Sequence, residues 1–389
     1  MRKRSRAHDR MFVLAMLAIG AGPFLDACAT NAPKSLLSVT APADAAQRDA
    51  SPEAGSRYVE QAAAGAAKLQ SWYSQNSGLY ETTGWWNSAN AITVLANYSQ
   101  VSHSSLYLPV FANTFEQAQK TARGFINEYY DDEGWWALAW IAAYDLTGNE
   151  RYLSMAHSIF HDMAGGWDQT CGGGIWWSKE KKYKNAIANE LFLSVSAHLA
   201  VRSRSSSERA EYLRWAAREW QWFSKSGMIN SQNLINDGLD LGSCKNNEQA
   251  VWTYNQGVIL GGLVELNRAA PDPALLSTAV GIASAALTHL RDANGVFHDP
   301  CEPACAADNV QFKGIFLRNL MALNEVFPNA GFKAFTGTNA ESLWKYSQGP
   351  HHEFGQVWSG PFRAGDAGSQ SSALDAFVAA AQMEQRRAR

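Results

Sequence analysis

Residues 129–146 read YYDDEGWWALAWIAAYDL, and their pattern indicates how the chain folds. From Trp135 onward its residues are apolar or small on every side of a helix. A helix of this kind is enclosed by other helices, whereas a surface helix keeps one polar face. The stretch therefore predicts an inner helix, near residues 134–147, with two adjacent acids, Asp131 and Asp132, just before it.

The same contrast between two helix types repeats along the chain. The third predicted helix carries Phe111, Phe115 and Phe125 on one face, whereas the eighth, in VWTYNQGVILGGLVEL (251–266), is apolar or small almost all round. Six amphipathic outer helices alternating with six enclosed inner ones predict an all-α fold, an (α/α)6 barrel of about twelve helices. The helices are predicted near residues 56–74, 86–101, 108–127, 134–147, 149–164, 184–202, 206–225, 248–269, 273–292, 308–326, 330–347 and 369–385.

The connecting segments differ at the two ends of this barrel. Links from inner to outer helices are short, whereas most links from outer to inner helices are long and rich in aromatic and acidic residues. All the long links lie at one end of a barrel of helix pairs, and long loops on a rigid scaffold are where binding and catalytic sites are built. The acid pair Asp131 and Asp132 lies at this end.

Tryptophans accumulate at the same end. Aromatic faces outside a core suit flat ligands lined by C–H groups, of which sugar rings are the commonest. The alternative is that about half of these rings fill the tops of the inner helices. Asn189, on an inner helix, either orders the floor of the cleft or points at substrate. The candidate sugar-binding tryptophans are Trp85, Trp86, Trp135, Trp136, Trp176, Trp177 and Trp358.

The acid pair has two interpretations. Acids are preferred at helix N-termini, so Asp131 and Asp132 could only cap a helix. Glycoside hydrolysis instead needs two carboxyl groups about 5 to 5.5 Å apart for retention of configuration, and adjacent residues in a non-helical turn can splay to that distance. Asp237, in INDGLD, is either part of an Asx-turn or a ligand for sugar hydroxyls in the same cleft.

The N-terminus has the pattern of an export signal. Five basic residues precede a short apolar run, and small residues follow, so residues 1–28 are predicted to be a signal of the ordinary or the lipoprotein type. Cys28 is the candidate lipid-anchored residue. Residues 29–55 are predicted to be a flexible tether, and residues 56–389 the barrel domain. The protein is thus expected to be secreted, periplasmic or anchored at the cell surface.

Four cysteines remain beyond Cys28. An even count in an exported chain favours disulfides, and three connectivities are possible. We favour the pairs Cys171–Cys244 and Cys301–Cys305. Zinc binding by Cys301 and Cys305 is the alternative, but no second Cys or His pair accompanies them at metal spacing.

The composition limits which classes of molecule the protein is expected to bind. The formal net charge is −3 and the sequence has no basic stripe, so nucleic acid is not an expected partner. No phosphate-binding glycine loop and no Ser/His/Asp spacing stands out, and we expect neither a cofactor nor a metal. A monomer is expected.

Five segments resemble glycoside hydrolase family 76 and occur in that family's order over about residues 58–380. The adjacent aspartates before the double tryptophan are the most specific of them. The resemblance implies an (α/α)6 barrel, and bacterial members of the family are retaining endo-α-1,6-mannanases. It also implies Asp131 as nucleophile, Asp132 as general acid/base and Asp237 as a groove contact. The segments are residues 129–153, 173–193, 235–240, 252–266 and 311–320.

Residues and resemblance together predict a retaining endo-hydrolase of α-1,6-mannan or a related mannose-containing glycan. Three alternatives remain. A transglycosidase on the same scaffold would pass the sugar to an acceptor other than water. A sugar epimerase would use His351 or His352. A glycan-binding protein would keep the cleft without the reaction.

Overall fold

The structure, a computed structural model, describes residues 54–385. The predicted export signal, the lipidation site Cys28 and nearly all of the predicted tether lie outside the described residues. Among the helices that are described, none is long and apolar enough to cross a bilayer.

Twelve α-helices are present in the described part of the chain, as predicted. α3 ends ten residues earlier than expected because two 3₁₀ turns follow it and Gly124 adopts a left-handed conformation at φ 68°. The helices are α1 (Ala54–Gln70), α2 (Trp85–Ser102), α3 (Leu108–Gln117), α4 (Tyr130–Thr147), α5 (Glu150–Gly165), α6 (Ala186–Arg202), α7 (Ser206–Phe223), α8 (Thr253–Ala269), α9 (Pro273–His289), α10 (Phe312–Val326), α11 (Ala330–Tyr346) and α12 (Ala367–Gln385).

The six even-numbered helices form a closed inner ring. Each packs against the next in chain order, and α12 closes the ring against α2. Close approach of α8 and α10 depends on a glycine at the contact: a Cβ on Gly257 of α8 would lie 2.5 Å from the backbone of Phe316 in α10. The odd-numbered helices cover this ring from outside, which confirms the predicted (α/α)6 barrel.

The long loops at the N-terminal ends of the inner helices carry little regular structure. Two short antiparallel hairpins occur, β1 (Tyr73–Ser74) with β2 (Leu79–Tyr80) and β3 (Leu239–Asp240) with β4 (Lys245–Asn246). Elsewhere, single apolar loop residues are fixed by buried amide side chains, whose oxygens accept hydrogen bonds from the backbone N–H groups of these residues. These pairs are Ile175 with Asn189 at 2.7 Å, Ile235 with Gln256 at 2.8 Å and Phe354 with Gln370 at 2.9 Å.

Both predicted disulfides are formed. Cys171–Cys244 joins the loop before α6 to the β3–β4 hairpin across a sequence separation of 73 residues. Cys301–Cys305 closes a local loop with a separation of 4 residues. The second pair is therefore not available to zinc, and oxidised cysteines fit a protein that folds in an oxidising compartment.

The two disulfides are expected to contribute unequally to stability. The entropy of closing a loop in the unfolded chain grows with its length, so Cys171→Ser with Cys244→Ser should cost about 4 kcal/mol. Cys301→Ser with Cys305→Ser is the matched control and should cost about 2 kcal/mol. Urea unfolding of the two double variants measures both losses, and an equal loss would contradict the loop-length argument.

Candidate active site

Asp131 and Asp132 lie inside the first turn of α4, which begins at Tyr130. The prediction of a non-helical turn before residue 134 is wrong. The helix begins earlier because its first N–H group finds an acceptor in a neighbouring loop. The backbone N–H of Tyr130 donates a hydrogen bond to the carbonyl of Trp177 at 2.9 Å. Successive residues of a helix point about 100° apart, so the two carboxyl groups leave the helix in different directions.

Each aspartate is held by a side chain from outside the helix. Asp131 Oδ2 accepts a hydrogen bond from Trp177 Nε1 at 2.9 Å, and Asp132 Oδ2 accepts one from Asn127 Nδ2 at 2.7 Å. The second oxygen of Asp131, Oδ1, is buried and accepts no hydrogen bond from the described residues. The helix cap itself is Tyr129, without a side-chain capping bond. Helix capping therefore does not account for how these side chains are placed.

Both carboxyl groups are made harder to ionise than ordinary aspartates. Burial, followed by the neighbouring charge of Asp132, raises the pKa of Asp131 well above its usual value, while the Trp177 hydrogen bond opposes the shift. Burial raises the pKa of Asp132 to about 6, against the hydrogen bond from Asn127, and the charge of Asp308 adds to it. Two adjacent carboxyl groups whose pKa values are both raised hold a proton between them to higher pH than separate aspartates do.

A partly buried cluster of Lys179, Glu133 and Asp162 supports the residue that holds Asp132, although burial raises the pKa of Glu133 to about 9. Lys179 Nζ lies 2.9 Å from Glu133 Oε1 and 2.8 Å from Asp162 Oδ2. The same oxygen of the fully buried Glu133 accepts the backbone N–H of Asn127 at 3.3 Å. Lys179 also donates its own N–H to the carbonyl of Glu128 at 2.9 Å. This cluster thus fixes the segment that leads into α4, and with it the side-chain amide of Asn127 that binds Asp132.

Lys179→Met is expected to lower kcat by about 10²-fold with little change in KM, because a misplacement of about 1 Å at the reacting groups costs that much. Lys179→Arg keeps the charge and should restore most of the rate. Lys182→Met is the matched control, since Lys182 lies in the same loop and pairs only with the exposed Glu180. Steady-state kinetics measure the change, and a Lys179→Met rate within twofold of the wild type would refute this positioning role.

Asp237 is held by a phenol from the loop that precedes α6. Its Oδ2 accepts a hydrogen bond from the Tyr183 hydroxyl at 2.5 Å. Burial raises the pKa of Tyr254, and the charges of Asp237, Asp131 and Glu190 raise it further. Tyr254 is thus close enough to Asp237 and Asp131 to sense the charge of both, and contact of Asp237 with a substrate stays a prediction.

A row of aromatic rings forms the floor beside the aspartates. Trp86 stacks on Trp135 at 5.6 Å between centroids, Trp135 on Tyr254 at 6.3 Å, and Tyr254 on Phe312 at 3.7 Å. The four rings come from the first two turns of α2, α4, α8 and α10. The sequence analysis missed Tyr254 and Phe312, although both stand where inner helices begin, next to the long loops.

Several predicted sugar-binding residues are corrected by their burial. Trp136 and Trp358 are 0% exposed, Trp135 is 3% exposed, and all three belong to the core. Trp176 is also buried and donates its Nε1–H to Asp168 at 2.7 Å, and Trp85 is half-buried with its ring 5.5 Å from Trp136. Buried rings present no face to a ligand.

Asn189 is likewise structural. It is fully buried, and its amide exchanges hydrogen bonds with both the N–H and the carbonyl of Ile175. Trp177, at 37% exposed, and the half-buried Trp86 keep accessible surface beside the acid pair. Trp177 bonds Asp131 directly, and Trp86 donates to Asp308, whose charge acts on Asp132.

The two histidines of the epimerase alternative lie in a 3₁₀ turn before α12. His352 stacks on Trp344 of the outer helix α11 at 5.3 Å, and its Nδ1 hydrogen-bonds Gln348 at 2.8 Å. His351 is exposed. These contacts tie His352 to the outer helix layer and give no support to a role beside the acid pair.

Comparison with known proteins agrees with this arrangement. The model of glycosyl hydrolase family 76 matches residues 57–388. The chain belongs to glycosyl hydrolase family 76. Among family 76 structures, the GH76A α-1,6-mannanase of Salegentibacter sp. HEL1_6 superposes with a TM-score of 0.76 at 22% identity, covering 84% of this chain and 99% of that one. At that identity the likeness speaks for the barrel fold.

Two further family 76 relatives are informative. Mannan endo-1,6-alpha-mannosidase DCW1 of Candida albicans is 25% identical over 270 residues, which is 63% of this chain and only 59% of the relative's length. A second structure of the Salegentibacter mannanase, at TM-score 0.75, 21% identity and coverage of 84% and 99%, holds α-1,6-mannotriose. It is an inactive variant in which two adjacent aspartates are replaced by asparagine.

Proposed function

We propose that this protein is an endo-acting glycoside hydrolase that cleaves α-1,6-mannosidic bonds within mannan and retains the anomeric configuration. The observation that carries the proposal is the pair Asp131 and Asp132 in the first turn of α4. One oxygen of Asp131 is held by the indole N–H of Trp177, and this contact orients the carboxyl group as a nucleophile.

In the first step, the Asp131 carboxylate forms a bond to the anomeric carbon as the bond to the glycosidic oxygen breaks. Asp132 gives its proton to that oxygen, so the leaving chain departs as an alcohol. In the second step, the Asp132 carboxylate takes a proton from water, and the water oxygen displaces Asp131 from the anomeric carbon. Two displacements on opposite faces restore the original α configuration.

The protonation states suit this division of roles once substrate is bound. Positive charge develops at the anomeric carbon in the transition state and stabilises the ionised form of Asp131, which the site alone disfavours. The single proton of the pair then resides on Asp132, next to the glycosidic oxygen. Asp237 and the exposed side of Trp177 are proposed to contact the sugar on the same side of the cleft.

The substrate and the location rest on the relatives and on the disulfides. The curated Candida relative is named for endo-1,6-α-mannosidase activity, and the Salegentibacter structure holds an α-1,6-mannooligosaccharide. Loss of activity in that protein on replacing an adjacent aspartate pair supports the catalytic roles of Asp131 and Asp132 in this proposal. Two disulfides support export, to the medium, the periplasm or the cell surface, where Cys28 would carry a lipid tether. We propose that it acts there as a monomer.

Incubation with linear α-1,6-mannan tests the proposal. Hydrolysis inside the chain should release oligosaccharides of several lengths early in the reaction, with β-1,4-mannan as the unreactive control. Proton NMR of the first product should show the α anomer before mutarotation. The β anomer would exclude retention. If α-1,6-mannooligosaccharides are used as substrate, products longer than that substrate would indicate a transglycosidase.

A further inference from the structure

A second cleft lies outside the catalytic groove, at the C-terminal end of α7. It is open, and its volume is about 480 Å³. Its walls come from α7, from the loop that precedes α6 and from the β3–β4 hairpin, and none of its lining residues belongs to the floor or the acid pair of the groove. Its polar, charged and aromatic lining includes Gln169, Arg218, Gln221, Trp222 and Lys225.

The Trp222 ring lies flat against two glycines. A Cβ on Gly174 would stand 2.4 Å from the ring carbon Cη2, and a Cβ on Gly173 would stand 2.7 Å from Cδ1. The ring is further fixed by a hydrogen bond from its Nε1 to the carbonyl of Cys171 at 3.0 Å. Since one face covers the glycine backbone and the half-buried ring also lines the cleft, Trp222 presents a rigid aromatic wall to it. This explains the glycines at 173 and 174.

The cleft carries positive charge. Arg218 and Lys225 are both exposed and line it, and its lining contains no Asp or Glu among the described residues. Arg218 is held in place because its guanidinium lies 4.3 Å above the Trp167 ring and 5.0 Å from the Trp215 ring. Two nearby acids are engaged elsewhere, since Asp168 bonds Lys184 at 2.9 Å and Asp240 accepts from Ser243. A third, Glu219, is fully buried, and burial raises the pKa of its carboxyl group well above the usual value.

The loops that line this cleft also line the catalytic groove from their other side. Cys171 and Cys244 face the outer cleft and are joined by the disulfide. In the same loop before α6, Trp177 and Tyr183 contact Asp131 and Asp237. The cleft is therefore a preorganised surface next to the groove, which limits the ordering cost of binding there.

We propose that this cleft is a second glycan-binding site, specific for sugars that carry an anionic group, either phosphate or carboxylate. Trp222 packs against the C–H face of a sugar, the amides of Gln169 and Gln221 bond its hydroxyls, and Arg218 and Lys225 bind the anion. A site of this kind holds a charged polymer while the groove acts on a neighbouring segment. Only this last point rests on the proposed hydrolase function; binding itself does not.

Calorimetric titration of the Asp131→Asn protein tests binding without turnover. The three ligands are α-1,6-mannotetraose and two mannooligosaccharides of equal length that carry a phosphomonoester or a glucuronate. Saturating α-1,6-mannotriose occupies the groove in each titration. At least one anionic ligand should bind about tenfold more tightly than the neutral one, and its affinity should fall with added salt. Tight binding of both anionic ligands indicates a general anion site. Tight binding of only one identifies phosphate or carboxylate as the preferred group.

Lys225→Glu in the same background should weaken binding of the anionic ligand by about tenfold or more, because repulsion replaces an ion pair. Lys225 is exposed, so the fold should be unaffected, and circular dichroism verifies this. Lys345→Glu, at an exposed lysine on α11 outside the cleft, is the matched control. Equal affinity for neutral and anionic ligands, or an unchanged affinity in Lys225→Glu, overturns the proposal while leaving the hydrolase assignment intact.

Discussion

Asp131→Asn is expected to reduce kcat/KM on α-1,6-mannan by about 10⁵-fold, close to 7 kcal/mol of transition-state stabilisation. An amide oxygen is a far weaker nucleophile than a carboxylate, so the bond from residue 131 to the anomeric carbon no longer forms. The loss should be as large with an activated aryl mannoside, because this substrate also needs the nucleophile. Asp240→Asn is the control, since Asp240 is exposed and only closes the turn with Ser243.

The same variant should be more stable than the wild type above neutral pH. The pKa of Asp131 is raised in the folded protein, so its contribution to stability is present at low pH and is lost as pH rises through the folded pKa. The amide that replaces this carboxyl group does not titrate, so the variant escapes the loss. Thermal melts should therefore show different melting temperatures for the two proteins at pH 8 and similar ones at pH 4.

The kinetic outcome decides the role of the pair. If kcat/KM of Asp131→Asn were within about tenfold of the wild type, or 1.4 kcal/mol, the two aspartates would have only a structural role at the start of α4.

The helical framework was predictable because hydrophobic periodicity reports directly on burial. Helices such as α4 and α8 show apolar residues on all sides, and this pattern alone distinguishes the inner ring from the outer one. The acid pair was predictable for a related reason: it stands between a long loop and an inner helix, where the fold gathers its functional groups.

The supports of the acid pair could not be predicted in this way. Lys179 lies more than forty residues from Glu133, and nothing in local sequence shows that its loop returns to α4. The tryptophans illustrate the same limit. Trp135 and Trp136 are neighbours, but a rotation of about 100° turns one toward the aromatic floor and the other, completely buried, away from it. Their roles depend on the angle at which α4 sits in the ring.

Asp132→Asn is expected to show a loss that depends on the leaving group. With mannan the leaving oxygen needs a proton, so the rate should fall by about 10³-fold. A nitrophenolate departs without a proton, so formation of the mannosyl-enzyme should be nearly as fast as in the wild type. The wild-type rate on mannan should also decline as pH rises and Asp132, whose pKa is about 6, loses its proton. Asp132→Asn should lack this alkaline decline with the nitrophenyl substrate.

Azide then separates the two aspartates. In Asp132→Asn the second step lacks its base, so the mannosyl-enzyme should accumulate and be visible by mass spectrometry as an adduct on Asp131. Azide is a nucleophile that needs no base, and the neutral amide no longer repels it. It should therefore accelerate turnover of the nitrophenyl mannoside and yield α-mannosyl azide, the product of two displacements. Asp131→Asn has no mannosyl-enzyme to release and should give no such product. Formation of β-mannosyl azide by Asp131→Asn, with no rescue of Asp132→Asn, would instead assign the nucleophile to Asp131 without a role for Asp132 as its acid/base partner.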